Sequence, residues 1–374
     1  MRGKLNPGEG AVEIIRILHY YGDKKGESEY IALAAKKDST DPQLVHIGNG
    51  TSLEKDHLLA YKKAIKNKAA DDHSYKNYWQ PLESILDKTQ TIYISVDGVY
   101  NNINLNTLQQ ANGNFLLDDH NLILVPNTKS VVTGLLSTMQ LPATKSEAVL
   151  LGHPLYGNDE MIPPLPGTKE EILEIDTMLL RDHIKTKIFL EQTASEENIK
   201  LTTRPFILHI ATHGFFNENV NLNKSMNMGV RVSHAKDNAL LRSGLLLNGA
   251  ASIYSREPIL DGNNNGVLYA YEVMNLDLQG TSFVVLSACE TGVGEIVNGE
   301  GVYGLSRSFQ VAGAEKILMS LWKVDDNPTK ELMVAFYENL LKLKDPQLAF
   351  VQAQKTIKKK YPQPFYWGGF VLLN

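Results

Sequence analysis

The side chain most able to do covalent chemistry is Cys289, the only cysteine among 374 residues. A thiol with the ordinary pKa of about 8.5 is mostly protonated at neutral pH and needs a base before it attacks anything. His213 is the candidate base. It follows an apolar run, residues 206–211 (FILHIA), and precedes Gly214, Phe215 and Phe216. Cys289 follows a second such run, residues 282–288 (SFVVLSA), and leads into Glu290, Thr291, Gly292, Val293 and Gly294. Open α/β sheets gather their sites beyond the carboxyl ends of their strands. If these two strands are neighbours, thiol and imidazole face one another there. An imidazole within hydrogen-bond reach takes the thiol proton and leaves a sulfur nucleophile for an acyl carbon. The oxyanion that forms needs preorganised donors. The backbone N–H groups of Gly214 and Cys289 are the candidates, because glycine lets the chain approach closely. Gly292 and Gly294 permit a tight loop after the nucleophile. No residue marks a third triad member, and a backbone carbonyl could orient His213 instead.

Blander readings stand beside this one. A strand-end cysteine could simply pack, and His213 could cap a helix; a single cysteine with a distant histidine is a weak signature. A metal reading would take His209 and His213, which alternate onto one strand face, with Cys289 as a third ligand. No further cysteine or carboxylate cluster supports zinc there, so no metal and no cofactor is expected. His209 is expected to point into the sheet as a satisfied core histidine.

The elements that must position these residues read as α/β. Residues 11–18, 29–35 and 43–47 are short, β-branched and bounded by Gly or Asp clusters, which are strand signals. Residues 53–65 and 78–86 carry apolar side chains at helical spacing, and 91–96 and 121–125 return to strand character. Residues 140–146 (QLPATKS), polar and with a proline, mark the candidate boundary. Beyond it strand and helix alternate. Strands are predicted at 147–152, 187–190, 206–211, 282–288, 316–322 and 369–373. Helices are predicted at 169–180, from the N-cap Ser195, near 268–276, and at 302–311, 327–341 and 346–359. Apolar strands alternating with helices argue for a mostly parallel sheet covered on both faces. The polar Asn/Gly/Ser-rich stretch between His213 and Asn265 reads either as a lid or processed linker, or as disorder without function.

Composition excludes more than it selects. The chain is 43% hydrophobic and 21% charged, with a net charge of -5 and a pI near 6.1. Nothing there offers an electrostatic footprint for phosphates, so no direct nucleic-acid partner is expected. The single basic run, residues 355–361 (KTIKKKY), reads as a solvated helix end. No stretch approaches the ~20 apolar residues that cross a bilayer, and the opening MRGKLNPGEG has no apolar leader. No membrane partner is expected, and a lone cysteine fits a reducing, cytoplasmic location.

Several ordered blocks carry a family resemblance: LHIATHGFF (208–216), FVVLSACETGVG (283–294), GEGVYGLSRSFQVAGAEKILMSLWKVDD (299–326) and QPFYWGGFVLL (363–373). They resemble the signature blocks of the CHAT domain, a family associated with tetratricopeptide repeats and grouped with caspases and separases. The opening LNPGEGAVEIIRI (5–17) is similar to the lead-in of such domains. The resemblance implies a caspase-like α/β fold with helices on both faces of a mostly parallel sheet. It implies a catalytic subdomain over 144–374, preceded over 1–143 by a smaller, non-catalytic pseudo-caspase-like α/β subdomain. It implies a cysteine endopeptidase with the dyad Cys289 and His213, acting on a protein or peptide substrate. Activation by a tetratricopeptide-repeat protein, another partner or cleavage is also implied. Residues 321–326 (LWKVDD) resemble a separase segment whose aspartate is associated with the arginine at the cleavage point. That places Asp326, with Asp325 and Trp322, around a pocket for Arg or Lys before the scissile bond. A carboxylate there would favour a basic side chain by charge pairing; equally, Asp325 and Asp326 could only cap the following helix, and Trp322 could be core. Metacaspases have an acid two residues before the nucleophile, where this chain has Ser287. Two other functions remain open: a signalling module with a vestigial dyad, and a thiol hydrolase of small molecules.

Overall fold

The structure, a computed structural model, describes residues 2–21, 24–133, 147–158, 160–217, 226–254, 265–289, 291–297 and 301–374. The chain divides into two compact units. The first comprises Met1–Thr138, Ile296–Gly301 and Gln354–Asn374; the second comprises Met139–Glu295 and Val302–Ala353. Splitting the chain at 143/144 put everything after that point into one subdomain. The last 21 residues instead belong to the first unit, because the strand Phe370–Leu373 runs parallel to Asn121–Leu124. The boundary segment 140–146 lies outside the described residues.

In the first unit the strand order is Gln43–Asn49, Lys24–Lys36, Glu9–Tyr21, Thr91–Ser95, Asn121–Leu124, Phe370–Leu373. The first three are antiparallel neighbours and the others join in parallel. The core is aromatic: Tyr30, Tyr61, Tyr78, Trp79, Tyr100 and Trp367 are fully buried. Buried phenols need partners, and they have them. Tyr61 meets Thr107 at 2.8 Å, Tyr78 donates to the Leu53 carbonyl at 2.7 Å, and Tyr100 donates to the Tyr78 carbonyl at 2.9 Å.

The second unit holds five parallel strands in the order Ile317–Ser320, Phe283–Ser287, Ile207–Ala211, Glu147–Pro154, Lys185–Glu191. Ile207–Ala211 and Phe283–Ser287 are mostly Val, Ile, Leu and Phe, and every residue of these two and of Ile317–Ser320 is buried. That is the pattern of strands covered on both faces. Helix Pro166–Arg181 buries Ile172, Ile175 and Leu179, and helix Asp326–Leu343 buries Leu332, Met333, Phe336, Tyr337 and Leu340. Helix Glu196–Lys200 starts where expected, with the Ser195 hydroxyl accepting the Asn198 N–H at 3.3 Å.

Two expectations change here. The stretch after His213 is not structureless, because a small antiparallel sheet forms in the order Val267–Tyr269, Ser243–Leu246, His213–Phe216. Tyr156, Ile162, Phe215, Leu246, Ala250, Ile253, Val267 and Tyr269 form its apolar core. Residues 218–225 and 255–264 of that stretch lie outside the described residues. The helix expected near 268–276 is instead the strand Val267–Tyr269 followed by the short helix Ala270–Val273. The run VLYAYEVM fits either period, and pairing with Ser243–Leu246 decides it.

Candidate active site

The two chemical residues leave adjacent parallel strands at the same level. Ser287 pairs with Ala211 in register, and Cys289 and His213 each stand two residues beyond that pair. Where the buried run 206–211 ends, the chain does not pass into a loop: His213 opens the strand His213–Phe216. The backbones that follow are in tight contact. A Cβ on Gly214 would lie 2.5 Å from the Cys289 carbonyl oxygen and 3.0 Å from Thr291 Cγ2. Only glycine permits that approach. Cys289 is half-buried.

The imidazole is held by a main-chain group. His213 Nε2 donates to the Pro163 carbonyl at 2.8 Å. A carbonyl oxygen can only accept, so Nε2 carries the proton and the neutral ring keeps its lone pair on Nδ1. Burial lowers the pKa of His213; the Pro163 carbonyl and the charge of Asp326 oppose that shift, and the charge of Lys323 adds to it. The ring therefore favours its neutral, proton-accepting form. Tyr156 lies against it, with ring centroids 5.3 Å apart, and its hydroxyl is 3.0 Å from Thr212 Oγ1. Burial, with the nearby charges of Asp326 and Cys289, pushes the Tyr156 phenol up to about 12. It stays a neutral hydrogen-bonding group.

The cysteine loop is clamped from the next strand. Ser320 N donates to Thr291 Oγ1 at 3.0 Å, and Thr291 N donates to Ser320 Oγ at 3.4 Å. Both hydroxyls then donate to the Ala288 carbonyl, Ser320 Oγ at 2.5 Å and Thr291 Oγ1 at 3.4 Å. Gly292 N donates to the Ser320 carbonyl at 2.7 Å. Thr291 and Ser320 are wholly buried, so Ala288, Thr291 and Gly292 are held at a defined height above the sheet.

His209 is the core histidine expected. Its Nε2 meets Glu171 Oε1 at 2.8 Å and its Nδ1 meets the Tyr337 hydroxyl at 3.1 Å, all three being buried. Both ring nitrogens are thus engaged by helices Pro166–Arg181 and Asp326–Leu343, from the strand Ile207–Ala211 that ends just before His213. Among the described residues no group of three or more His, Cys, Asp or Glu side chains is placed to hold a metal ion.

The residues suggested for substrate binding scatter in exposure. Asp325 is exposed and Trp322 half-buried. Asp325 is the N-cap of helix Asp326–Leu343, with its carbonyl accepting the Thr329 hydroxyl at 2.7 Å and no side-chain cap bond. Asp326 is half-buried, and its Oδ2 accepts the Gly167 N–H at 2.9 Å. Ser287 is buried, and its hydroxyl has no partner among the described residues. Tyr156, Pro163, Thr291 and Ser320 were not anticipated. Thr291 stands in the block containing Cys289 and could have been noticed; a proline carbonyl gives no residue-type signal. Concavities of about 440 Å³ beside His57 and about 230 Å³ beside Phe365 belong to the first unit and contain none of these residues.

A family model described as the CHAT domain matches residues 74–374, most of the chain. This chain belongs to the CHAT domain family. The chain is 34% identical over 110 residues to tetratricopeptide repeat protein 28 of Homo sapiens, and 32% identical over 110 residues to that of Mus musculus. Each alignment spans 29% of this chain and 4% of the relative's length. Among solved structures, it is similar to separase in the Saccharomyces cerevisiae separase–securin complex, with a TM-score of 0.45, 12% identity and coverage of 79% of this chain and 16% of that one. It is also similar to the Arg-specific cysteine proteinase gingipain R, with a TM-score of 0.46, 9% identity and coverage of 85% and 73%. No helix among the described residues is long and apolar enough to cross a membrane.

Proposed function

We propose that this CHAT domain is a cysteine endopeptidase in which His213 deprotonates Cys289. The reading is carried by one observation: His213 Nε2 is tied to the Pro163 carbonyl while Gly214 is pressed against Cys289. Nδ1 is then the basic nitrogen of the ring, the one that would take the thiol proton. Proton transfer to Nδ1 leaves an imidazolium whose Nε2–H still donates to Pro163, so the carbonyl takes the place of a carboxylate orienter. The sulfur attacks the peptide carbonyl, forming the S–C bond, and the N–H groups of Gly214 and Cys289 stabilise the oxyanion. The imidazolium protonates the leaving amine as the C–N bond breaks. Water, deprotonated by His213, then opens the thioester and restores the thiol.

The proposed specificity is Arg or Lys before the scissile bond. Asp326 Oδ2 is bound to Gly167, which leaves Oδ1 to pair with a basic side chain; Asp325 and Trp322 would flank it. The relatives carry tetratricopeptide repeats in their name, which supports a repeat-protein partner as a proposal for this chain. The first unit, which contains no cysteine, would be a non-catalytic pseudo-caspase-like body, and the setting a cytoplasmic one.

The test is labelling of the intact chain with a small alkylating agent and with a lysyl acyloxymethyl ketone, followed by mapping of the adduct. Cys289 should label, and Cys289→Ala and His213→Ala should each abolish cleavage of basic fluorogenic peptides while the circular dichroism spectrum is unchanged. Equal cleavage by either variant ends the dyad reading. A cysteine that resists both probes, before and after exposure to cell extract, would assign the chain to signalling without catalysis. Preference for Asp or an apolar residue at the cleavage point would end the specificity reading alone.

A further inference from the structure

Helix Pro166–Arg181 begins without a cap of its own. Its N-cap residue is Leu165, whose side chain accepts nothing, so first-turn N–H groups need an acceptor from elsewhere. Asp326 supplies one across 159 residues of sequence, Oδ2 taking the Gly167 N–H at 2.9 Å. The fit leaves no room for a side chain, because a Cβ on Gly167 would lie 2.5 Å from that same oxygen. Asp326 is also the first residue of its own helix, so its charge sits at two positive helix ends.

Gly167 lies four residues beyond Pro163, and the segment from 163 to 166 reads Pro-Pro-Leu-Pro. Proline locks φ, so three of the four residues have one soft dihedral each. Leu165, the remaining member, has its carbonyl held by the Thr168 hydroxyl at 2.6 Å and the Thr168 N–H at 3.1 Å. The segment is a stiff strut with Asp326 gripping one end and the Pro163 carbonyl gripping His213 at the other. We propose that Asp326 is a positioning residue for His213, setting the strut through Gly167 and hence the orientation of the imidazole. This rests on the dyad reading and is separate from any pairing of Asp326 with substrate. The charge of Asp326 also acts to raise the His213 pKa against burial, which agrees with their proximity.

The test uses iodoacetamide on the intact chain, following the rate of Cys289 alkylation against pH. The probe has no side chain to fill a specificity pocket, so it reads the thiol–imidazole pairing and not substrate recognition. His213→Ala sets the floor. Asp326→Ala and Gly167→Ala should each lose about half or more of the logarithmic gap between wild type and that floor. Asp326→Asn keeps an acceptor for Gly167 and should fall between Asp326→Ala and wild type, with its acid limb at lower pH. On peptides, Asp326→Ala should lower kcat for basic and non-basic substrates alike. Wild-type alkylation rates in both Asp326→Ala and Gly167→Ala would overturn the strut, as would an Asp326→Asn rate no better than Asp326→Ala. Should Asp326→Ala not fold, the Gly167→Ala and Asp326→Asn rates decide. If His213→Ala itself alkylates as fast as wild type, it is the dyad that fails.

Discussion

Replacing Thr291 by valine should loosen the cysteine loop by an amount the structure lets one work out. The substitution keeps shape and removes one hydroxyl. That hydroxyl accepts from Ser320 N at 3.0 Å and donates to the Ala288 carbonyl at 3.4 Å. The Ala288 carbonyl keeps its shorter bond from Ser320 Oγ, at 2.5 Å, so the larger loss is the orphaned, buried Ser320 N–H. Leaving a buried donor unsatisfied costs ~1–3 kcal/mol. For a unit of this size 1 kcal/mol moves Tm by roughly 2–4 °C, so a cost of about 2 kcal/mol lowers Tm by roughly 4–8 °C. Thr291→Ser keeps every one of these bonds and loses only the methyl group facing Gly214, costing about 1 kcal/mol. Thermal unfolding by circular dichroism gives the stabilities, and iodoacetamide alkylation of Cys289 reports the loop. Valine should melt lowest and alkylate slowest. A valine variant melting within about 1 °C of wild type, or a serine variant melting below the valine variant, would refute the argument that hydroxyl bonds hold this loop.

Gly214→Ala forces a Cβ to within 2.5 Å of a main-chain oxygen that cannot swing aside. It should cost ~1–3 kcal/mol and slow Cys289 alkylation at least about tenfold; an unchanged rate would show that the strand His213–Phe216 and the cysteine loop tolerate separation. Glu171→Ala strips the buried His209 of its Nε2 partner and should cost ~1–3 kcal/mol, with Glu171→Gln milder because it keeps an acceptor. Denaturation midpoints compare the two, and equal midpoints would mean the carboxylate is not needed as an acceptor. Burial lowers the folded-state pKa of His213 below 6.5, so just below that pH the unfolded chain binds more protons than the folded one. Stability from neutral His213 is complete above pH 6.5 and is lost as pH falls through the folded pKa. Thermal scans on acidification should show a smaller loss for His213→Asn than for wild type; a larger loss contradicts the burial argument.

Much of this protein was legible from residue order, and the limit has a physical cause. Strands such as 206–211 and 282–288 declare themselves because burial on both faces demands unbroken apolar runs, and both candidate catalytic residues could be named from where those runs stop. His209 was readable as core because it sits inside the apolar run 206–211, a strand buried at every position. Local pattern could not say that His213 opens a second strand, since its partner, Ser243–Leu246, lies some thirty residues away. It could not separate strand from helix at Val267–Tyr269 for the same reason. Nor could it place the last 21 residues with the first unit, which is a matter of which edge accepts Phe370–Leu373. The site shows the division most clearly. Residue types announced a thiol and an imidazole, but the groups that aim them are a proline carbonyl, a glycine amide and a serine–threonine clamp. Main-chain atoms are the same at every position, and hydroxyls are common, so their roles arise only when folding brings distant segments within hydrogen-bond reach.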